Sequence, residues 1–236
     1  MPSTTWTLPA VASELVRLRR RLWRAVESQH VASTTRLVAT AAEQDMLEFI
    51  LEASKPPVPP EAARLHYLLA TPFRYPSPFG SRFRSPTEPG VWYGAEAVRS
   101  ACAELGYWRW RFLMDSAGLT TLGPSPQTVL QASIDTRAVD LTRAPFTRDQ
   151  SRWGHRTDYG PTQQFAAIAR EAEAGAIRYA SVRDPEHGAA VAVLRADAFK
   201  PSRPLRQTTW FLTLKPERVI WRREGETLEF DAVDWQ

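Results

Sequence analysis

Val91-Trp92-Tyr93-Gly94-Ala95-Glu96-Ala97-Val98-Arg99-Ser100-Ala101-Cys102-Ala103-Glu104 is the stretch whose reading sets the fold class. Val91-Trp92-Tyr93 is a short run of β-formers. Residues 95–114 contain no proline and carry Val98, Cys102, Leu105 and Trp108 along one side, which predicts a helix. A strand running directly into a helix is the local signature of a mixed α/β chain.

Working outward, residues 10–53 read as helical. Leu15, Leu18, Leu22, Trp23 and Val26 fall at helical offsets, with Arg17, Arg19, Arg20, Arg21 and Arg24 facing mostly elsewhere. A second helix carries Leu37, Met46, Leu47, Ile50 and Leu51. Lys55-Pro56-Pro57-Val58-Pro59-Pro60 stops any helix, because proline lacks the N–H and clashes with the preceding turn. This divides the chain into an N-terminal helical extension, 1–55, and a main domain, 56–236. Ala63–Leu69 reads as a strand, followed by a loop rich in proline, aromatics and arginine.

Beyond Gly123-Pro124-Ser125-Pro126, residues 128–135 and 138–141 suit strands. Gly160-Pro161 opens a helix through Glu173, with Gly175 just past its end. Ile177–Val182 and Ala189–Leu194 are strands around the turn Asp184-Pro185-Glu186-His187-Gly188. Further strands lie near Thr208–Leu214, Glu217–Arg222 and Thr227–Phe230. The class is α+β with a mixed or mainly antiparallel sheet. Neither Gly-x-Gly-x-x-Gly nor a Walker-type loop is present.

Composition narrows the function classes. The 236 residues are 43% hydrophobic, enough for a core, and no run approaches the about 18 apolar residues of a membrane helix. Met1-Pro2-Ser3-Thr4-Thr5-Trp6 lacks the charged-then-apolar pattern of a secretory signal, so a cytoplasmic protein is expected. Cys102 is the only cysteine, which excludes an intramolecular disulfide and a cysteine-built zinc site. His30, His66, His155 and His187 are too scattered for a metal cluster, and no metal is expected. Of 30 basic residues only Lys55, Lys200 and Lys215 are lysines. The net charge of +4 and the scattered arginines fit a solvated surface better than nucleic-acid binding.

Arg82, Tyr93 and Glu104 stand at 11-residue intervals. Arginine suits a pyrophosphate, an aromatic face suits a nicotinamide ring, and a carboxylate stabilises an oxocarbenium-like state at C1′. His155 and Asp158 could form an acid–base pair, but a solvated loop is the simpler reading. Four segments occur in order: Gly80-Ser81-Arg82-Phe83; Trp92-Tyr93-Gly94-Ala95; the helix with Glu104; and Gly175-Ala176-Ile177-Arg178-Tyr179-Ala180-Ser181-Val182-Arg183.

Together these resemble the RES domain, over about residues 60–200. The resemblance departs at Ser81 and Phe83, where the family has glycine and tryptophan. It implies a fold similar to ADP-ribosyltransferase toxins and the role of toxin in a toxin–antitoxin module. The implied partner is a helix-turn-helix antitoxin of the Xre type. It further implies cleavage of NAD by hydrolysis or by phosphate-dependent phosphorolysis, with ADP-ribosylation of a protein as the alternative. A catalytically inactive interaction module on the same fold is the non-enzymatic reading. NAD would be the substrate and inorganic phosphate a co-substrate, with no other cofactor.

Carried over, Arg82 would hold phosphates or ribose, Tyr93 would pack beside the nicotinamide, and Glu104 would stabilise the cation. Ser181 would bind the ligand or hold the glutamate. From its position alone, two residues beyond Ser181 on the same strand face, Arg183 would hold a phosphate or form a structural ion pair. The family's first strand carries a polar ligand contact; Arg64, His66 and Tyr67 are the candidates here, with Arg74 and Tyr75 in the following loop. The N-terminal segment is left as an antitoxin-binding surface, a homo-oligomer contact or a cover for the sheet.

Overall fold

The structure is a computed structural model, described for residues 6–28, 37–75 and 77–236. The readings of Met1–Thr5, His30 and Pro76 fall outside these residues. A short helix α1 (Leu8–Ser13) leads into strand β1 (Val16–Glu27). Then come α2 (Ala41–Ser54), α3 (Tyr67–Arg74), β2 (Trp92–Ala95), α4 (Val98–Asp115) and β3 (Leu122–Asp140). The C-terminal half holds α5 (Gln150–Trp153), α6 (Gly160–Glu171), β4 (Ala176–Ala180), β5 (Ala189–Val193), β6 (Arg206–Leu214), β7 (Arg218–Arg223) and β8 (Glu226–Asp231).

Among the described residues eight strands form one mixed sheet in the order β1-β2-β5-β4-β3-β6-β7-β8, with β1 also paired to β3. Only β3 and β4 run parallel. The α+β class with a mixed sheet is therefore as expected. The double pairing of β1 closes a ring β1-β2-β5-β4-β3. Its seam is narrow: β1 meets β2 only at Trp23 opposite Ala95.

Three local expectations are corrected. Residues 16–27 are a strand, not a helix, paired with β3 from Val16 opposite Ala138 to Glu27 opposite Gln127. Leu18, Leu22 and Val26 are spaced by four, which puts them on one face in either geometry, and all three join one core cluster. Arg17 and Arg19 both pair with Asp135 across the sheet, so part of the basic cluster is used internally. Residues 63–69 are a turn and the start of α3, not a strand. His66 caps this helix, its Nδ1 accepting from Leu68 N at 3.3 Å, and Leu68, Leu69 and Phe73 form the buried face. Residues 128–135 and 138–141 are parts of one long strand, β3. The Gly-Pro break is a register shift near its start, where Gly123 has φ +102° and a side chain would meet Leu212 O.

Besides the cluster in which Phe83, Ala101 and Tyr179 pack with the partly buried Trp23 and Tyr93, the core has two further lobes beside the site. On one, Trp92, Leu22, Leu69, Leu130, Ile134 and Phe199 pack together. On the other, α4 lies against β1, β6 and β7, burying Cys102, Ala103, Tyr107 and Trp110 with Trp221 and Trp235. Among the described residues no helix is long and apolar enough to cross a membrane.

Candidate active site

The seam between β1 and β2 opens into a cavity of about 280 Å³. Its walls come from β1 (Trp23, Arg24, Ala25), the turn before β2 (Ser81, Arg82), β2 itself (Tyr93), α4 (Glu104, Trp108) and the later Tyr159, Tyr179 and Arg183. Gly94 lets β2 lie against the ring of its own Trp92; a Cβ there would come within 2.3 Å of that ring.

Glu104 and Ser181, 77 residues apart, meet in this cavity's wall: Ser181 Oγ donates to Glu104 Oε1 at 2.6 Å. The serine is fully buried and strongly held. Its Oγ also accepts from Arg183 N at 3.2 Å and Asp184 N at 3.1 Å, in the turn after β4. Asp184 is fixed in turn by Ser100 Oγ at 2.5 Å and Arg99 Nε at 3.2 Å. The Ser181 hydroxyl thus has one proton, given to Glu104, and two backbone donors filling its lone pairs. With both lone pairs engaged by backbone N–H groups, the oxygen has none left to attack a substrate carbon, so Ser181 is not placed as a nucleophile.

Burial raises the pKa of Glu104 above the ordinary carboxylate range. The Ser181 hydrogen bond and the charges of Arg82 and Arg183 pull it back down, and Asp184 pushes it up. The carboxylate is thereby poised, with its charged form favoured by Ser181 and the arginines.

Arg82 is buried. Its Nη1 donates to Trp153 O (2.8 Å) and His155 O (3.0 Å), and its guanidinium lies 4.8 Å from the Tyr159 ring centre. Arg183 donates through Nη2 to Arg156 O (2.7 Å) and Tyr159 Oη (3.2 Å), stacked 3.6 Å from the Tyr107 ring centre. Tyr93 works mainly through its hydroxyl, which accepts from Phe83 N at 3.0 Å and shares a hydrogen bond with Ser81 Oγ at 2.8 Å. It pins the turn that presents Arg82. Burial raises the Tyr93 pKa, so this phenol stays neutral.

The structure brings Arg82, Tyr93, Glu104 and Arg183 to the cavity, with Ser181 bonded behind the glutamate. Arg64, His66 and Tyr67 are elsewhere. Arg64 is exposed in a turn, His66 caps α3, and Tyr67 is 53% exposed on that helix. Arg74 binds Pro56 O and Glu52 and stacks on Tyr75, and it does not line the cavity. These residues cannot serve as a first-strand contact because their segment is not a strand. His155 and Asp158 do not form an acid–base pair: His155 Nδ1 accepts from Thr157 N and Asp158 N, while Asp158 Oδ1 accepts from Gly160 N.

The residue missed from sequence is Arg24. It lines the cavity from β1, with its guanidinium 5.3 Å from the Trp92 ring centre and Nη1 donating to Tyr93 O at 3.1 Å. Among the described residues its buried Nε has no hydrogen-bond partner, and burial lowers its pKa to about 10, so it remains a cation at neutral pH. A buried arginine without a carboxylate partner is costly unless a ligand supplies the anion. Its only signal in the sequence is its place two residues from both Leu22 and Val26, which has meaning once the segment is a strand.

The RES domain family model matches residues 58–215, well over half of the chain. A search of curated proteins gives no match. Among solved structures, a chain from the crystal structure of the M. tuberculosis MbcT–MbcA toxin–antitoxin complex superposes with a TM-score of 0.52. That likeness covers 89% of this chain and 92% of that one at 11% identity, and so speaks to the fold alone. The ordered motifs, their convergence on one cavity and the family match agree: the chain belongs to the RES domain family.

Proposed function

We propose that this protein cleaves the nicotinamide–ribose bond of NAD, with water or inorganic phosphate as the acceptor, as the toxin of a toxin–antitoxin module. The observation that carries the reading is the Ser181–Glu104 hydrogen bond of 2.6 Å in the wall of a cavity that also holds Arg24, Arg82 and Arg183. Three guanidinium groups against one carboxylate suit a pyrophosphate, whose two negative charges they complement.

In the reaction the C1′–N bond breaks and its electron pair returns to the ring nitrogen, discharging the pyridinium as neutral nicotinamide. The ribose gains oxocarbenium character, which ionised Glu104 stabilises. Water then adds at C1′ and loses a proton to give ADP-ribose; phosphate in its place gives the 1-phosphate ester. Arg24, Arg82 and Arg183 hold the phosphates, and Ser181 fixes the Glu104 rotamer. Ser181 is therefore a positioning residue. An antitoxin partner is supported by membership of the RES family and by the likeness in fold to a chain of the M. tuberculosis toxin–antitoxin complex. The helix-turn-helix type is an expectation from the family resemblance.

Incubation of the purified chain with NAD, with and without inorganic phosphate, should release nicotinamide. A labelled protein band in place of free ADP-ribose or its phosphate would redirect the reading to ADP-ribosyl transfer. No nicotinamide under any acceptor condition would sink it.

Ser181→Ala gives a second expected result. Ser181 hydrogen-bonds the charged form of Glu104, so its loss raises the Glu104 pKa further. Activity that needs the carboxylate rises with pH through that pKa, so the acid limb of kcat/KM moves to higher pH in the variant. An unmoved acid limb would show that Glu104 ionisation does not control the rate.

A further inference from the structure

We propose that the indole of Trp108 is the platform for the second, purine base of a dinucleotide whose scissile end lies at Glu104; the inference rests on the NAD reading above.

Two of the aromatic rings that line the cavity already have partners, as has Tyr107 beside it. Arg82 lies over Tyr159, Arg183 covers Tyr107 behind the wall, and Tyr179 packs against Phe83 with ring centres 4.8 Å apart. Trp108 lines the same cavity but meets Tyr107 only edge to face, at 5.1 Å and 73°, and is 53% exposed. Its indole therefore keeps exposed surface beside the cavity.

Position supports the assignment. Trp108 follows Glu104 by four residues on α4, so the two side chains stand on one stripe, about 6 Å apart along the axis. The Arg183 guanidinium is 6.0 Å from the Trp108 ring centre and projects into the same wall as Glu104. Carboxylate, guanidinium and indole are therefore neighbours in one cavity, the three kinds of group that suit the ribose, phosphate and base of a dinucleotide. Stacking is indifferent to hydrogen-bond pattern, so this residue selects for the presence of a second base and favours the larger purine surface.

Nicotinamide mononucleotide has the same scissile bond and lacks the adenosine half, so it separates the two ends of the site. Trp108→Ala should raise KM for NAD about tenfold, within the range measured for base–aromatic stacking, and leave KM for nicotinamide mononucleotide within about twofold. Trp108→Phe should restore most of the NAD affinity. Phe112→Ala, one turn further along α4 and outside the cavity, should change neither. Calorimetric titration with ADP reads the same contact without catalysis: affinity should fall about tenfold in Trp108→Ala. Parallel shifts for NAD and the mononucleotide, or unchanged ADP binding, overturn the proposal. If the wild type releases no nicotinamide yet ADP binding depends on Trp108, the cleavage reading fails and the purine platform stands.

Discussion

Glu104→Gln is expected to lower nicotinamide release by about a hundred- to a thousandfold, the usual cost of removing one group that stabilises transition-state charge. The amide matches the carboxylate in shape, and its oxygen can still accept the hydrogen bond from Ser181. What disappears is the negative charge facing the developing cation. The fold should not suffer. A carboxyl group whose pKa rises on folding stabilises the native state only below its ordinary pKa, and that contribution is lost as pH climbs through the raised value. Burial is the largest influence on Glu104 and acts in that upward direction. The amide has no charge to desolvate, so the thermal midpoint of the variant should equal or exceed that of the wild type. Steady-state assays beside a melting curve check both halves. Near-normal turnover in a well-folded variant would remove Glu104 from the mechanism.

Trp92→Ala is expected to have the largest effect on stability, about 3–5 kcal/mol. Trp92 is fully buried in β2, edge to face with Phe199 at 5.2 Å and beneath the Arg24 guanidinium at 5.3 Å. Among the described residues its indole Nε1 has no hydrogen-bond partner, so deletion costs packing and the Arg24 contact but no hydrogen bond, and the loss should fall toward the lower end of that range. At about 2–4 °C per kcal/mol for a chain of this size, the melting point should drop by roughly 6–15 °C. Denaturant titration gives the same quantity as a lowered midpoint with unchanged slope. An unaltered midpoint would contradict the packing described. Because Trp92 backs both Arg24 and the strand carrying Tyr93, residual activity should also be weaker in KM for NAD.

Local signals are strong where one element contains its own evidence. Helix α4 has no internal proline, the proline of α6 stands in its first turn, and the β4–turn–β5 unit follows from apolar runs around Asp184–Gly188. The motif segments are likewise legible, because Arg82, Tyr93, Glu104 and Ser181 each sit in a distinctive local context. Segment 63–69 carries a usable signal against the strand reading: Leu65, Leu68, Leu69 and Phe73 have helical spacing.

Residues 16–27 are different in kind. Leu18, Leu22 and Val26 satisfy a helix and a strand equally, and a run rich in arginine adds no β preference. The choice is made by β3, more than a hundred residues later, whose hydrogen bonds exist only in the folded chain. Without that pairing the direction of Arg24 is undefined, because it depends on strand register. The sequence by itself determined the residue types of the site and the short elements that carry them. Tertiary structure alone decided that β1 closes the ring, that Arg24 enters the cavity, and that Ser181 turns its hydroxyl to Glu104. Periodicity is a property of neighbours in the chain; strand pairing and the meeting of charges are properties of distant segments brought together.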